Sequence, residues 1–273
     1  MPDAAWRLAF RVSTLLALIA GLLLFAGATR TEDYFSWTIA PAQTAAFLGA
    51  AYWAAAVLFA WASVQRNWEQ IRIAVFAELT VAVLLLIATY LHFDKFHSDL
   101  FGNFWFAAYS IAAPVLIYLL AASRAGGGEA PGPPRLPMPA WLRLLLGLQA
   151  AALWVYGVGL YLVPSTFDGA WPWALTPLTA RAIGSFLLGF AVAAAIALRA
   201  NSLLRFRGAA LAYAVLGVLE LLAVALHASD FQGAAALPLF VAFFTTVLAA
   251  GLAGSLLDRG AQASNSRSAF SAS

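Results

Sequence analysis

Residues 204–231 read LRFRGAALAYAVLGVLELLAVALHASDF, and residues 67–96 read NWEQIRIAVFAELTVAVLLLIATYLHFDKF. Each holds an apolar run of about 20 residues, the length that crosses a bilayer as a helix. In the later stretch Tyr213, Glu220 and His227 interrupt the run at steps of seven; 135 positions earlier the matching places hold Glu78, Leu85 and His92. A step of seven is close to two helical turns, so each trio lies on one helix face. The pair of stretches predicts membrane helices in a chain built by duplication.

The composition agrees. Hydrophobic residues make up 63% of the 273 and charged residues 10%, against about 25% charged in a soluble domain. Mean hydropathy is +0.85. Eight segments qualify as spans: 8–28, 44–64, 71–91, 104–123, 141–163, 180–199, 208–228 and 235–256. The expected fold class is an all-α polytopic integral membrane protein with eight transmembrane helices. The first segment also has the form of a signal peptide, with Arg7 and Arg11 before a short apolar core and Ala26-Gly27-Ala28 after it. The repeat speaks for a retained helix, because Trp6 and its span match Trp141 and the fifth span.

Arginine placement sets the orientation. With the N-terminus, the even-numbered loops and the C-terminus on one side, that side holds Arg7, Arg11, Arg66, Arg72, Arg124, Arg135, Arg143, Arg199, Arg205, Arg207, Arg259 and Arg267. The other side holds Arg30, Lys95 and Arg181. Twelve against three places both termini in the cytoplasm. The near-exclusive use of arginine over lysine, with heavy Ala and Leu usage, points to a GC-rich bacterial genome. The expected location is therefore a bacterial inner membrane, and the pI near 9.4 reads as topology rather than as a nucleic-acid surface.

The offset of 135 pairs Thr44 with Thr179, Gly49 with Gly184, Arg72 with Arg207, His92 with His227 and Phe96 with Phe231. The expected organisation is a 4+4 parallel tandem repeat: 1–123, a Gly/Pro-rich cytoplasmic linker at 124–140, a second repeat at 141–257, and a Ser-rich tail at 258–273 expected to be disordered. Four spans per half give both halves one orientation and a pseudo-two-fold axis along the membrane normal, an arrangement used by transporters.

Candidate chemistry is sparse. Glu78 and Glu220 are carboxyl groups within spans, where an ionised form costs several kcal/mol or more unless it is paired. Either acts as a proton or cation site or serves as polar glue to a neighbouring helix. Glu78 matches Tyr213 and Glu220 matches Leu85, so the carboxyl position differs by two turns between the halves. That makes the displaced Glu220 the more specific candidate, with Glu78 and Tyr213 beside it as an intramembrane proton or substrate site.

At the outer ends lie His92, Asp94, His97 and Asp99 in one half, and His227 and Asp230 in the other. This outer polar cluster has two readings. One is a divalent-metal or haem site using His92, His97 and His227. The other is a set of helix ends leaving the membrane. Arg181 is the one arginine entering a span from outside, expected to pair with Asp168 or Asp230, to snorkel to headgroups, or to form an anion site. Trp37, Trp171 and Trp173, with Trp105, Phe101 and Phe104, read as an interfacial aromatic belt or an outer vestibule.

The chain has no cysteine, no phosphate-binding glycine loop, no HExxH and no nucleophile elbow. The leading expectation is a small-solute or ion-coupled permease rather than an enzyme, with lipid as its surroundings and no nucleic-acid partner. The alternatives are an accessory subunit of a membrane complex, with membrane-protein partners or a second copy of the chain, and a His-ligated electron-transfer protein.

Overall fold

The computed structural model describes residues 4–125 and 136–271; at 124, 125, 168 and 258–271 it describes the backbone alone. Among the described residues there is no strand, and eight helices are long and apolar enough to cross a membrane. They are α1 (Ala4–Ala26), α2 (Ala42–Ser63), α3 (Trp68–Leu91), α4 (Leu100–Ala125), α5 (Ala140–Leu162), α6 (Pro177–Ala200), α7 (Leu203–His227) and α8 (Ala236–Ser271). At 1.5 Å per residue, 22–24 residues span roughly 33–36 Å, enough for the hydrocarbon core and its edges.

The helix ends follow local chemistry. Asn67 caps α3 by accepting from the Glu69 backbone N–H. Thr176 and Thr179 form a reciprocal capping box at α6, with Pro177 in its first turn, where proline's missing N–H costs nothing. Asn201 ends α6 in the left-handed conformation at φ 43°. The segment expected to link the halves lies, over 126–135, outside the described residues. Its last residues tie to the α6–α7 turn: Leu203 N donates to Leu136 O at 2.8 Å and Met138 N to Asn201 Oδ1 at 3.2 Å. Where a disordered tail is expected from 258, the backbone of α8 continues as helix to Ser271. The tail contains no proline to stop it.

The interior is made of α2, α3, α6 and α7. The main contacts across it pair α2 with α7 and α3 with α6. The other four helices pack outside, α1 on α2, α5 on α6, α4 on α3 and α8 on α7. Of the apolar stretches, 72% of α2 and 67% of α6 is buried, against 22% of α1 and 17% of α4. Small residues let the backbones approach. A Cβ at Gly49 would sit 2.6 Å from Phe25 N, and one at Gly184 2.9 Å from Gly157 O, so α1–α2 and α5–α6 meet through matching glycines. α1 is part of the bundle: Trp6 and Phe10 are buried, and Trp6 lies 6.0 Å from the Trp68 ring.

The tryptophans do not form the expected belt. Trp37 and Trp173 are buried, and each is packed into an aromatic plug at the end of the bundle where α2 and α6 begin. Trp37 sits 5.3 Å from Phe96 and 4.9 Å from Trp105; Trp173 sits 5.1 Å from Phe231 and 5.4 Å from Phe240. A backbone bond holds each plug's two loops together, His97 N to Ser36 O at 2.9 Å and Gln232 N to Pro172 O at 2.8 Å. Buried indoles usually find a partner for N–H as well as packing: Trp173 Nε1 donates to Thr44 Oγ1 at 2.7 Å and Trp105 Nε1 to Thr89 Oγ1 at 3.0 Å, while Trp37 Nε1 has no partner among the described residues.

Candidate functional site: a carboxyl-lined cavity in the bundle

A cavity of about 160 Å³ lies between α2, α3, α6 and α7 and reaches α1 and α4. Its wall is almost wholly apolar. The polar groups on it come from Ser13, Tyr52, Glu78, Trp105, Tyr109 and Tyr213, and no Arg, Lys, His or Asp lines it. Glu78 is 8% exposed. Ser13 Oγ of α1 donates to Glu78 Oε1, while Glu78 Oε2 has no hydrogen-bond partner among the described residues. Across the cavity the Tyr52 and Tyr109 hydroxyls share a 2.6 Å hydrogen bond that joins α2 to α4. The Tyr213 hydroxyl is buried without a partner among the described residues, and its ring packs 6.2 Å from Phe206.

These groups converge because each is a polar interruption on an inward face of its span. Glu78 and Tyr213, the pair 135 positions apart in the sequence, both reach this cavity. Glu220 does not line it. It is fully buried on α7, and both its carboxyl oxygens lack a partner among the described residues. The more specific of the two carboxyls by sequence is thus the one away from the cavity, and Glu78 is the one placed on it. Ser13, Tyr52 and Tyr109 were missed by the sequence reading. A hydroxyl in the middle of an apolar span was the available signal for all three.

Of the residues expected in one polar cluster, Arg181, His92, Asp99 and Asp230 serve helix ends, while His97 is held in a loop and Asp94 pairs with Lys95. Arg181 Nη1 lies 2.7 Å from His92 Nε2 and also donates to Pro177 O at 3.3 Å, joining the end of α3 to the start of α6. Of the two partners expected for Arg181, the Asp168 side chain lies outside the described residues, and Asp230 Oδ2 accepts instead from Gln43 N at 2.9 Å, capping the start of α2 from the end of α7. The reason is geometric: the end of α3 abuts the start of α6, and the end of α7 abuts the start of α2. Partial burial and the nearby Arg181 guanidinium both hold the His92 imidazole below its ordinary range. With Arg181 donating, Nε2 is the acceptor and Nδ1 carries the proton.

His97 is tied to the first outer loop through Nδ1 and Phe35 O at 3.0 Å, with Thr38 Oγ1 3.4 Å from its Nε2. Asp99 Oδ1 accepts from Gly102 N and caps α4. Asp94 and Lys95 form an exposed ion pair at 2.9 Å, and the hydrogen bond to Lys95 draws the Asp94 carboxyl below its ordinary range. His227 is half-buried and makes no hydrogen bond among the described residues. No three His, Asp or Glu side chains converge as metal ligands among the described residues. Of the three histidines named for a divalent metal or haem, His92 Nε2 already accepts from a guanidinium and His97 is bonded into a loop.

At the opposite end of these helices Arg205, at the start of α7, pairs with Glu69, at the start of α3, at 2.5 Å; Arg72 adds a longer contact at 3.6 Å. This partly buried bridge joins the two helices that carry Tyr213 and Glu78. Compared with protein-family models, curated proteins and solved structures, the chain matches none.

Proposed function

We propose that this multi-pass protein is a small-solute permease whose solute site is the Glu78 cavity. One observation carries the reading. A nine-tenths-buried carboxyl group stands on the wall of an interior cavity, with one oxygen bonded to Ser13 and the other free. A carboxylate at that depth needs a proton or a cation, so Glu78 is the residue that carries the coupling ion. The free oxygen, facing an apolar space, is where solute and ion compete or cooperate.

The organisation we propose is the 4+4 parallel repeat, in a bacterial inner membrane with both termini cytoplasmic. Recurrence at an offset of 135 supports it. Gly49 and Gly184 make the same helix approach. The ring pair Trp105–Tyr109 recurs as Phe240–Phe244, both at 4.5 Å. The turns Phe93–Lys95 and Ala228–Asp230 recur in shape as well as place. On this reading the cavity lies where the halves meet, the usual place for a transporter's site.

The test is solute-driven proton movement in proteoliposomes loaded with a pH-sensitive dye and challenged with a panel of small amines, acids, aromatic amino acids and long-chain alcohols. At least one solute moves protons with the native protein and not with Glu78→Gln. A panel that moves none, or movement unchanged by Glu78→Gln, contradicts the proposal.

A further inference from the structure

The cavity is not closed on all sides. Its α2, α3, α6 and α7 walls are mostly buried, but the residues that α1 and α4 contribute are not. Ser13, Leu16 and Ala20 on α1, and Ala108 and Ala112 on α4, are half-buried, and Phe104 is 56% exposed. α1 packs on α2, and α4 packs on α3; the two are not packed along each other. These residues lie in the middle of α1 and the outer-to-middle part of α4, at the depth of lipid chains rather than water. The cavity thus has a side mouth that faces the bilayer.

The other half has no such mouth. The matching space is filled by Phe47, Phe190, Phe243 and Phe244, leaving about 10 Å³. Gln149 Nε2 of α5 donates to Thr246 Oγ1 of α8 at 2.9 Å and fastens the two flanking helices. In the first half no hydrogen bond among the described residues joins α1 to α4 along the cavity; Trp105 and Tyr109 of α4 bond to Thr89 and Tyr52 instead. α4 also contains Pro114, which cannot donate to Ser110 O and leaves that helix easier to bend.

Resting on the reading that the Glu78 cavity is the solute site, we propose that its ligand is a neutral single-chain amphiphile that enters sideways from the bilayer between α1 and α4. Its chain is alkyl or prenyl, and its head is one hydroxyl or carbonyl held at Glu78 Oε2. The cavity chemistry favours this class: with the coupling proton on Glu78, the wall carries no charge to pair with an ammonium head. With no Arg, Lys or His on the wall, a phosphate or carboxylate head has no counter-charge. A sugar-like head would leave most of its hydroxyls unbonded there. The volume of 160 Å³ is close to that of a cavity of about 150 Å³ that holds benzene, so the head and the first few carbons sit inside. The rest of the chain runs out through the mouth into lipid. The Tyr52–Tyr109 bond ties α2 to α4 across this space.

The experiment uses the full-length protein in nanodiscs and a long-chain alcohol bearing a diazirine near its hydroxyl and an alkyne at its tail. Photolabelled peptides are mapped by mass spectrometry. The expected labels fall on 13–20, 77–82 and 104–112. Ala108→Phe, which closes the mouth, lowers them about tenfold or more, a change worth about 1.4 kcal/mol; Ala20→Leu, from the opposite wall, lowers them too. Ala107→Phe, on the lipid-facing side of α4, leaves them unchanged. Unlabelled dodecanol competes; dodecylamine and dodecyl phosphate do not.

Labels spread over the outward faces of all spans, or labels indifferent to both mouth variants, overturn the proposal. Competition by dodecylamine alone overturns the neutral head. If Glu78-dependent flux is driven by a water-soluble solute and survives Ala108→Phe, this inference fails and the permease reading stands. If no flux depends on Glu78, the permease reading fails, while the labelling still decides whether the lateral site exists.

Discussion

Replacing Glu78 with methionine is expected to make the protein more stable while removing its activity. Met and Glu are unbranched and of similar length, so the change tests polarity with little change of shape. In the native bundle one carboxyl oxygen has no partner, and a buried polar group left unsatisfied costs about 1–3 kcal/mol. Against its removal stands the Ser13 bond, and hydrogen bonds between membrane helices average about 0.6 kcal/mol. Ser13 can then turn to its own helix, as Thr14 does in donating to Phe10 O at 2.7 Å.

The difference leaves Glu78→Met about 1–2 kcal/mol more stable than the native protein, taking the unsatisfied-group and membrane-bond magnitudes together. Glu220→Met should gain more, because Glu220 is fully buried with both oxygens unpartnered among the described residues. The assay is reversible unfolding in mixed micelles, followed by tryptophan fluorescence and helical circular dichroism. A Glu78→Met protein less stable than native by about 1 kcal/mol or more would mean that the second oxygen has a partner the argument lacks.

Three further outcomes follow from the contacts at the helix ends and seams. His92, held low first by burial and then by Arg181, binds a proton less readily folded than unfolded; its contribution is full above about pH 6.5 and is lost as pH falls from there toward the folded value. Thermal midpoints measured from pH 8 to 5 should show that loss, and His92→Asn should flatten it. Gly184→Ala should destabilise by about 1–3 kcal/mol, since the new carbon would meet Gly157 O at 2.9 Å and Tyr161 N at 3.1 Å; unchanged unfolding would show that α5 and α6 can part freely. Asp230→Ala should cost about 1 kcal/mol, the usual worth of an N-terminal cap, and should raise amide exchange at Gln43, the N–H it leaves unbonded.

The eight spans were legible because length and apolarity are all that a bilayer demands of a helix. Which spans lie inside was not. Lipid is as apolar as a protein core, so α1 and α2 look alike in hydropathy although one is mostly exposed and the other mostly buried. The heavy Ala and Gly content of α2 and α6 was the usable sign, since small residues mark close helix contacts. The caps at Asn67 and Thr176 were local and readable; the partners at the site were not. Ser13 meets Glu78 across 65 positions, Arg181 meets His92 across 89, and Gln43 meets Asp230 across 187. Seven-residue spacing put Tyr213 and Glu220 on one face, yet only Tyr213 reaches the cavity, because a face shared by two turns is divided between neighbours at different depths. The aromatic loops misled for a related reason: a membrane interface and a packed plug recruit the same residues.

The most direct test of the cavity's role is to fill it. Ala82 of α3 is 4% exposed and lines the cavity; Ala150 of α5 is 7% exposed and lies away from it. Solute-driven proton flux in proteoliposomes is measured for Ala82→Leu and Ala150→Leu alongside their unfolding midpoints. The account predicts that Ala82→Leu, by occupying empty space, is at least as stable as the native protein and carries no flux. Ala150→Leu should be less stable and keep the native flux per folded molecule. Full flux through a stable Ala82→Leu protein would contradict the claim that solute passes through the Glu78 cavity.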